Sequence, residues 1–436
     1  MKCKFLTSLA GLALIFSACS SDAPVGGEQN KVEKGDPTYA SFTIKMKKNT
    51  RAAGDDENAD APEQTINDLN VYIFSGGVLE KAARPEVNEY VTVPIAVTTG
   101  QKVVYAVNGD LGIELTEETT KLADFEKALF AALEENIAVA DQFTMIGKAD
   151  ATIVKCTEAQ ALANPIRVNV DRAAAKVQVI YGAEVKVRPT LAATFGNAEF
   201  ALAQQARQMY VTLGARFTPL GAKVNGNGTY PGLVQIPATY PDNYFIAAPS
   251  EVSAASADNK YTGECVVAAP TTGNVTFSLV RLKCTPTGKL FGGKSLPADG
   301  SFWVAARNDA PTASWIFAAD ENYDMIYFAS ESDARKYITD ARLGSSYKAY
   351  KYDKGLAYYR VNIINNDEAT DLSEKYRTLR NNYYRINVTD IRALGAPTGP
   401  GVVPTDPDTP IEQDSWLAAE IDVRPWTLHV QDTPLQ

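Results

Sequence analysis

The feature that most constrains this fold is a series of short runs in which apolar and polar residues alternate. A period of two residues is the pattern of β-strands with one buried face. The runs lie at 39–47, 69–74, 89–98, 102–107, 166–170, 175–180, 210–217, 274–283, 302–306, 356–364 and 383–388. Short strands with glycine- and proline-rich turns between them indicate β-sandwiches, not a parallel α/β sheet.

The chain has 436 residues, which is long enough for two domains with ordinary hydrophobic cores. We predict an N-terminal β-sandwich domain over 52–185, closed by the run 175–180, and a C-terminal β-sandwich domain over 186–398. One helix should interrupt the first domain, with Thr119 or Thr120 available to cap it. Its apolar residues, at helical spacing, are Leu122, Phe125, Leu129 and Leu133.

Charge and histidine content exclude several classes of function. A net charge of −10 argues against nucleic-acid binding, because neutralising phosphates requires a basic surface. The single histidine, His429, lies in a C-terminal strand pattern, so neither a two-histidine metal site nor a histidine-based triad is expected. Nothing singles out a carboxylate pair for glycoside hydrolysis. We therefore predict no catalytic residue, no metal and no cofactor.

The N-terminus has the pattern of an export signal. Two lysines precede an apolar run, Phe5–Phe16, that is too short to span a membrane. Small residues and then Cys19 follow, which resembles the lipobox of bacterial lipoproteins. The sequence predicts a signal peptide over 1–19 with Cys19 as the lipidation site. The alternative is a plain secretory signal.

A strand and a candidate cleavage loop come next, within a predicted propeptide over 20–51. In the run 39–47 the side chains of Phe42, Ile44 and Met46 share one face, so this strand should be buried. The segment after it is charged and rich in small residues, the kind of extended backbone that proteases cut, and it contains the basic site Arg51–Ala52. The alternative is a solvated loop that is never cut.

The C-terminal region, 399–436, combines a linker with two short strands. Repeated prolines over 399–410 prevent a helix or a central strand there. Apolar residues then alternate on both sides of Pro425, at Leu417, Ala419, Ile421 and Val423 and at Trp426, Leu428 and Val430. Two outcomes are open for these strands: they fold back onto their own core, or they reach another molecule.

Gly288–Ser295 matches the phosphate-binding pattern G-x-x-x-x-G-K-S. That chemistry needs a helix directly after the loop, whose first N–H groups meet the phosphate. Here a strand-like run begins at Phe302 instead, so we interpret the segment as a hairpin loop.

Three cysteines follow the signal and permit at most one intramolecular bridge. Cys265 and Cys284 lie in neighbouring strand runs and can pair, whereas Cys156 lies apart from them. Because the spacing matches no zinc pattern, we favour buried free thiols over a bridge.

Several segments, in this order and spacing, resemble the Bacteroidales-type fimbrillins, the major subunits of type V pili, and within them the Mfa-type subunits of short (minor) fimbriae. Besides the lipobox and the Arg-containing leader, the segments are Lys102–Asn108 (KVVYAVN), Val170–Val177 (VDRAAAKV), Ala357–Val361 (AYYRV), Tyr376–Ile386 (YRTLRNNYYRI) and Val423–Trp426 (VRPW). The resemblance implies a mainly β fold with two transthyretin-like β-sandwich domains, a few short helices and no catalytic activity.

The resemblance also implies an assembly route. The precursor would be lipidated at Cys19 and anchored at the outer membrane, and an Arg-specific, gingipain-like protease would cut Arg51–Ala52. Removing the leader strand would leave an apolar groove for a C-terminal strand of the next subunit, drawn from Trp416–Val430. Expected partners are further copies of the chain and accessory pilus subunits, in a cell-surface fimbrium that serves adhesion and biofilm formation.

Two other roles remain open at this stage. An anchor or tip subunit of the same pilus would cap or root the fibre without both donor and acceptor function. A monomeric surface lipoprotein that binds glycans, using exposed tyrosines, would keep its leader uncut. The presence of both a cleavable leader and a donor-like tail favours a shaft subunit.

Overall fold

The computed structural model is built mainly from β-strands. It describes residues 32, 35–46, 61–88, 90–212, 216–224, 229–236, 241, 243–288, 290–309, 314–403 and 405–411, and the backbone of 417–425. With 40% strand and 13% helix, it confirms the predicted fold class of two β-sandwiches with a few short helices. Within these described ranges, no helix is both long and apolar enough to cross a membrane.

The strands divide into two consecutive groups along the chain. The first group is β1 (Pro37–Ala40), β2 (Phe42–Met46), β3 (Leu69–Ser75), β4 (Val78–Ala83), β5 (Val87–Asn88), β6 (Val91–Thr92), β7 (Ile95–Thr98), β8 (Gly100–Asn108), β9 (Leu129–Ala131), β10 (Met145–Ile153) and β11 (Ile166–Arg172). The second group is β12 (Ala175–Ile180), β13 (Lys186–Val187), β14 (Ala193–Ala203), β15 (Gln208–Tyr210), β16 (Ile246–Ala247), β17 (Lys260–Thr262), β18 (Phe277–Pro286), β19 (Phe302–Asp309), β20 (Ser314–Phe317), β21 (Lys348–Tyr352), β22 (Leu356–Asn362), β23 (Asn382–Ile391) and β24 (Leu417–Pro425).

The α-helices are short. They are α1 (Leu122–Glu126), α2 (Glu134–Ile137), α3 (Glu158–Ala163), α4 (Glu331–Asp340) and α5 (Leu372–Lys375). Three of them, α3, α4 and α5, begin at a side-chain cap. The side chain of Thr157 forms a capping box with Gln160 at the start of α3. The Ser330 hydroxyl accepts a hydrogen bond from the Asp333 amide at the start of α4.

The N-terminal core lies against an eight-stranded sheet with the order β4-β3-β8-β10-β11-β2-β6-β5, and β1 and β7 form a separate pair. Fully buried residues from distant parts of the chain, among them Phe42, Ile73 and Val168, belong to one hydrophobic cluster. Phe125 of α1 closes this core edge-on against Tyr105, with ring centroids 5.0 Å apart.

The C-terminal core lies between two sheets. One sheet contains β12, β13, β17, β23 and β24, and the other has the order β16-β14-β18-β22. Buried residues of both sheets, including Phe200, Leu279, Tyr359 and Ile386, form one cluster, as expected of a β-sandwich. Beside it, β19, β20 and β21 form a third sheet that packs with α4 around Phe328.

The chain passes from the first core to the second after β11. The run 175–180, predicted to close the first domain, is β12, which pairs in parallel with β23 and antiparallel with β17, in the second sandwich. All six residues of β12 are buried. Alternation of apolar and polar residues predicts a strand but not the sheet that it joins, and this explains the difference.

The single helix predicted through Leu122, Phe125, Leu129 and Leu133 is wrong beyond Glu126. Leu129–Ala131 is instead β9, which pairs antiparallel with β15, about eighty residues further along the chain. This non-local pairing overrides the local helical spacing. Among the described residues of the predicted strand 210–217, only Tyr210 is in a strand.

Two predicted strands are each divided into shorter ones. The run 39–47 breaks at Ser41 into β1 and β2, and the run 89–98 is represented by β6 and β7. The two breaks have a common cause, because the chain passes between the β1–β7 pair and the eight-stranded sheet at each of them. Sequence alternation alone did not indicate this change of sheet.

Candidate assembly site: the leader strand and the C-terminal strand

The leader strand β2 is inserted within the N-terminal sheet and does not lie at its edge. It pairs in parallel with β11, where Phe42 is opposite Ile166 and Met46 is opposite Val170. On its other side, Thr43 pairs antiparallel with Val91 of β6. Backbone hydrogen bonds of 2.8 Å run from Ile166 N–H to the Ser41 carbonyl and from Ile44 N–H to the Tyr90 carbonyl. The leader therefore joins β11 to β6.

The preceding strand β1 pairs with β7 outside that sheet. Its register is antiparallel over four residues, from Pro37 opposite Thr98 to Ala40 opposite Ile95. The Thr99 N–H extends the ladder with a 2.9 Å bond to the Asp36 carbonyl. The leader thus occupies two strand positions, one on each side of Ser41.

The leader fills the centre of the N-terminal core. Phe42 and Ile44 are fully buried and belong to the main cluster, whereas Met46 at the end of β2 is half-buried. Burying a side chain of this size contributes about 1.5–3 kcal/mol. The alternation noted in the sequence therefore corresponds to core side chains at Phe42 and Ile44, with Met46 packed at the margin.

Polar contacts also hold β1 to the end of β10 and the residues after it. The Thr38 hydroxyl donates to the Val154 carbonyl at 3.1 Å and accepts from the Cys156 N–H at 2.8 Å. The Cys156 thiol donates to the Tyr39 carbonyl at 3.1 Å. A cleft of about 370 Å³ lies between this part of the leader and α3.

The lipidation and cleavage residues lie outside the described residues. These are Cys19, Arg51 and Ala52.

Glu63 anchors the chain just before β3. Its carboxylate accepts hydrogen bonds from Lys176 Nζ at 2.9 and 3.1 Å and from the Tyr261 hydroxyl. Arg172 Nε donates to the Glu63 carbonyl at 2.8 Å.

This anchor is a buried ion pair between the two sandwiches. The side chains of Glu63 and Lys176 are both 0% exposed. Burial, together with the nearby Glu63 charge, raises the pKa of Tyr261. Sequence reasoning missed these residues, because Lys176 occupies a polar position of an alternating run, where a charged side chain is expected to face solvent.

The C-terminal strand β24 lies antiparallel to β23. Tyr383 of β23 pairs with Lys176 of β12 and also with Arg424 of β24, so β12 and β24 flank β23. The four predicted donor residues are opposite core residues of β23: Leu417 with Ile391, Ala419 with Val388, Ile421 with Ile386 and Val423 with Tyr384. The other predicted donor residues, Trp426, Leu428 and Val430, lie outside the described residues.

The remaining candidates from the sequence are the glycine-rich loop after β18, the three cysteines and a metal site. Gly288 is followed by the short 3₁₀ turn Phe291–Gly293 and then by β19, and among the described residues between Gly288 and β19 there is no α-helix. Cys156, Cys265 and Cys284 are free thiols. Among the described residues, no group of three or more His, Cys, Asp or Glu side chains could hold a metal ion.

Comparisons with known families match both ends of this site. The family "Major fimbrial subunit protein (FimA)" matches residues 38–186, a range that begins in β1 and includes β2. The C-terminal fimbrillin family, "Major fimbrial subunit protein type IV", matches residues 350–432, which include β23 and β24. The two matches thus contain the leader strand and the strand with donor-like alternation.

Individual relatives extend over nearly the whole chain. The minor fimbrium subunit Mfa1 of Porphyromonas gingivalis is 25% identical over 504 aligned positions, which cover 97% of each chain. A fimbrilin structure from P. gingivalis has 18% identity and a TM-score of 0.48, covering 90% of this chain and 99% of that one. A putative cell adhesion protein from Parabacteroides distasonis has 15% identity and a TM-score of 0.49, with the same coverage. On its sequence matches the chain belongs to the Bacteroidales-type fimbrillins, the family that includes the Mfa-type fimbrial subunits.

Proposed function

We propose that this protein is a structural, non-catalytic shaft subunit of a type V fimbria and that it polymerises by donor-strand exchange. The observation that carries the proposal is the position of β2, between β11 and β6. A strand near the chain terminus can leave that position after one cut, without breaking any other connection. The matched fimbrial families support a role as a fimbrial subunit.

Removal of the leader provides the driving force for assembly. The backbone groups of β11 and β6 that now bond to Ser41 and Ile44 would lose their partners, and the core around Phe42 would open to water. Unpaired strand edges bind extended chains, with main-chain hydrogen bonds giving affinity and alternate side chains filling pockets. A neighbouring subunit's strand satisfies both requirements.

The donor strand in this proposal comes from Trp416–Val430. Support comes from β24, a nine-residue extended strand that already pairs antiparallel with β23, as an added strand must do with its sheet. To act as donor it would leave β23, with the proline-rich linker setting its reach. Either β24 or the run after Pro425 can supply the exchanged segment.

Maturation follows the route implied by the family. The precursor would be exported, lipidated at Cys19 and held at the outer membrane until an Arg-specific, gingipain-like protease cuts Arg51–Ala52. The mature subunit would then enter a cell-surface fimbrium together with accessory pilus subunits. Adhesion and biofilm formation are the functions we assign to the assembled fibre.

Cleavage of the purified precursor tests the proposal directly. We expect an Arg-specific protease to release the leader and to convert monomers into fibres visible by electron microscopy and as ladders on mildly denaturing gels. The Arg51→Ala variant should remain monomeric under the same treatment. Wild-type protein that is cut after Arg51, confirmed by mass spectrometry, yet stays monomeric over a wide concentration range would refute the shaft role.

A C-terminal truncation separates the remaining roles. Deleting residues 417–436 should leave a monomer that is cut normally but forms no fibres, because it has an acceptor groove and no donor. Truncated protein that still forms fibres would place the donor elsewhere. Full-length protein that caps fibres of another subunit without extending them would indicate a tip or anchor role.

A further inference from the structure

Strand β7 depends on the leader for its strand pairing. In the described part of the chain, β1 is its partner strand, over the four pairs from Thr98 with Pro37 to Ile95 with Ala40. Ile95 and Val97 are buried in the N-terminal core, so β7 is attached to the domain through side chains. When the leader leaves, the backbone edge that β1 now covers becomes available.

A second attachment holds β7 from the side of the main sheet. The Glu80 carboxylate accepts hydrogen bonds from Thr98 N–H at 2.7 Å and from the Thr98 hydroxyl at 2.9 Å. Glu80 lies at a β-bulge in β4, since Ile73 pairs with Lys81 whereas the next residue, Phe74, pairs with Leu79. Bulges re-aim side chains out of the regular pleat, and here the bulge residue contacts the end of β7.

Lys102 of β8 completes this attachment. Its ammonium group donates to Glu80 at 2.5 Å, to the Ser75 hydroxyl at 2.8 Å and to the Thr98 hydroxyl at 3.0 Å. Its side chain is 0% exposed and that of Glu80 is 9% exposed. Three acceptors match the three donors of a lysine, so the network is satisfied and joins β7 to β3, β4 and β8.

We propose that β7 is a second acceptor edge for the strand of the incoming subunit, and that the Glu80–Lys102 pair holds this edge in place after the leader has left. The inference rests on the proposed function, because it assumes that the leader is removed. In the precursor, β7 is held both by the β1 ladder and by Glu80. In the cut protein the ladder is gone, and the buried pair keeps β7 ordered for docking.

Two variants test the pair without leaving a lone buried charge. Glu80→Leu combined with Lys102→Met replaces both charged groups by apolar ones, an exchange that folded proteins commonly tolerate. Thr98→Val removes the hydroxyl that contacts both partners and keeps the pair intact. The control is Glu117→Gln, which alters the exposed pair that Glu117 forms with Lys81, the β4 residue next to Glu80. All should melt close to wild type before cleavage.

The readout is binding of synthetic leader peptides to cut, leader-free protein from which residues 417–436 are deleted, so that it has no donor strand and stays monomeric. The peptide 35–46 spans both leader strands, whereas 41–46 lacks β1 and cannot contact β7. We expect the double variant to bind 35–46 about tenfold more weakly than wild type does, because the β7 edge must then become ordered on docking. It should bind 41–46 as wild type does. Thr98→Val should show a smaller loss of the same kind.

The outcomes are distinguishable from those of the proposed function. If the double variant binds both peptides more weakly by the same factor, the change is a general destabilisation and the inference is overturned. The inference is also overturned if the double variant binds 35–46 as wild type does, or if wild-type protein does not bind 35–46. A C-terminal peptide, 417–430, is tested in parallel. If it fails to bind wild-type protein while 35–46 binds and depends on the pair, the donor assignment fails and the role of the pair stands.

Discussion

Replacing Phe42 by alanine separates the contribution of the leader from that of the rest of the core. The Phe42 side chain is 0% exposed, and its backbone N–H bonds to the Thr92 hydroxyl at 3.0 Å, an interaction that alanine keeps. The loss is therefore confined to the ring. Phenylalanine-to-alanine changes in well-packed cores cost about 3–5 kcal/mol, and we expect that loss in the free energy of unfolding of the N-terminal sandwich.

The loss should appear only while the leader is present. Urea unfolding of uncut protein, followed by intrinsic fluorescence, should show a lower midpoint for the variant. After cleavage and removal of the leader, variant and wild type have the same sequence and should unfold alike. The variant should also release its cut leader faster, which time-resolved mass spectrometry can measure.

Phe143→Ala is the matched control. This ring is also buried in the N-terminal core, where it packs edge-on against Tyr261 at 5.2 Å. Because Phe143 stays in the protein after cleavage, its loss should destabilise uncut and cut forms alike. An uncut Phe42→Ala protein as stable as wild type would refute the idea that the leader is an integral core strand.

Three further predictions concern the rest of the fold. Lys176→Met should lower the free energy of unfolding, measured by calorimetry, by about 3–5 kcal/mol, because it leaves the Glu63 carboxylate buried without its cation. The control is Lys336→Met, which should change the free energy of unfolding little because Lys336 forms an exposed pair with Asp340. Burial raises the pKa of Tyr384 from 10.0 to about 12, so the tyrosine loses its proton at a lower pH in the unfolded chain than in the folded protein. The free energy of unfolding should therefore fall as the pH rises from 10 towards 12. Urea titrations that show constant stability across that range would contradict this prediction. Cys284 should resist alkylation in native protein and react in denaturant, because burial raises the pKa of its thiol to about 12. Mass spectrometry after treatment at pH 8 measures the extent of alkylation.

Local patterns predicted the strands that have one buried face. Phe42 and Ile44 alternate with polar residues, and both are core residues in the structure. The period-2 pattern works here because each strand packs one face on a core. The helical spacing past Glu126 was overridden by the pairing of β9 with β15. The alternation in β12 predicted a strand, but it did not reveal that the polar positions of this strand are buried as well.

The polar anchors could not be predicted from local sequence at all. Glu63 meets Lys176 across 113 positions, and Glu80 reaches Lys102 and Thr98 because of a bulge in β4. A charged residue in an alternating run is usually read as solvent-facing, since charges are rarely buried. Only the three-dimensional packing reveals that these charges are paired inside the protein.

The parallel pairing of β2 with β11 also has a consequence for the order of folding. Phe42 is opposite Ile166, so the ribosome must add 124 more residues after Phe42 before this pair can form. Contacts between such distant residues form slowly, since the intervening loop must be closed first. The leader is synthesised early but finds its place late. Until it does, the N-terminal sheet lacks one of its inner strands, and the nascent subunit is open to premature association. Export before folding, with the leader still attached, would allow each subunit to complete its own sheet first and join others only after it is cut.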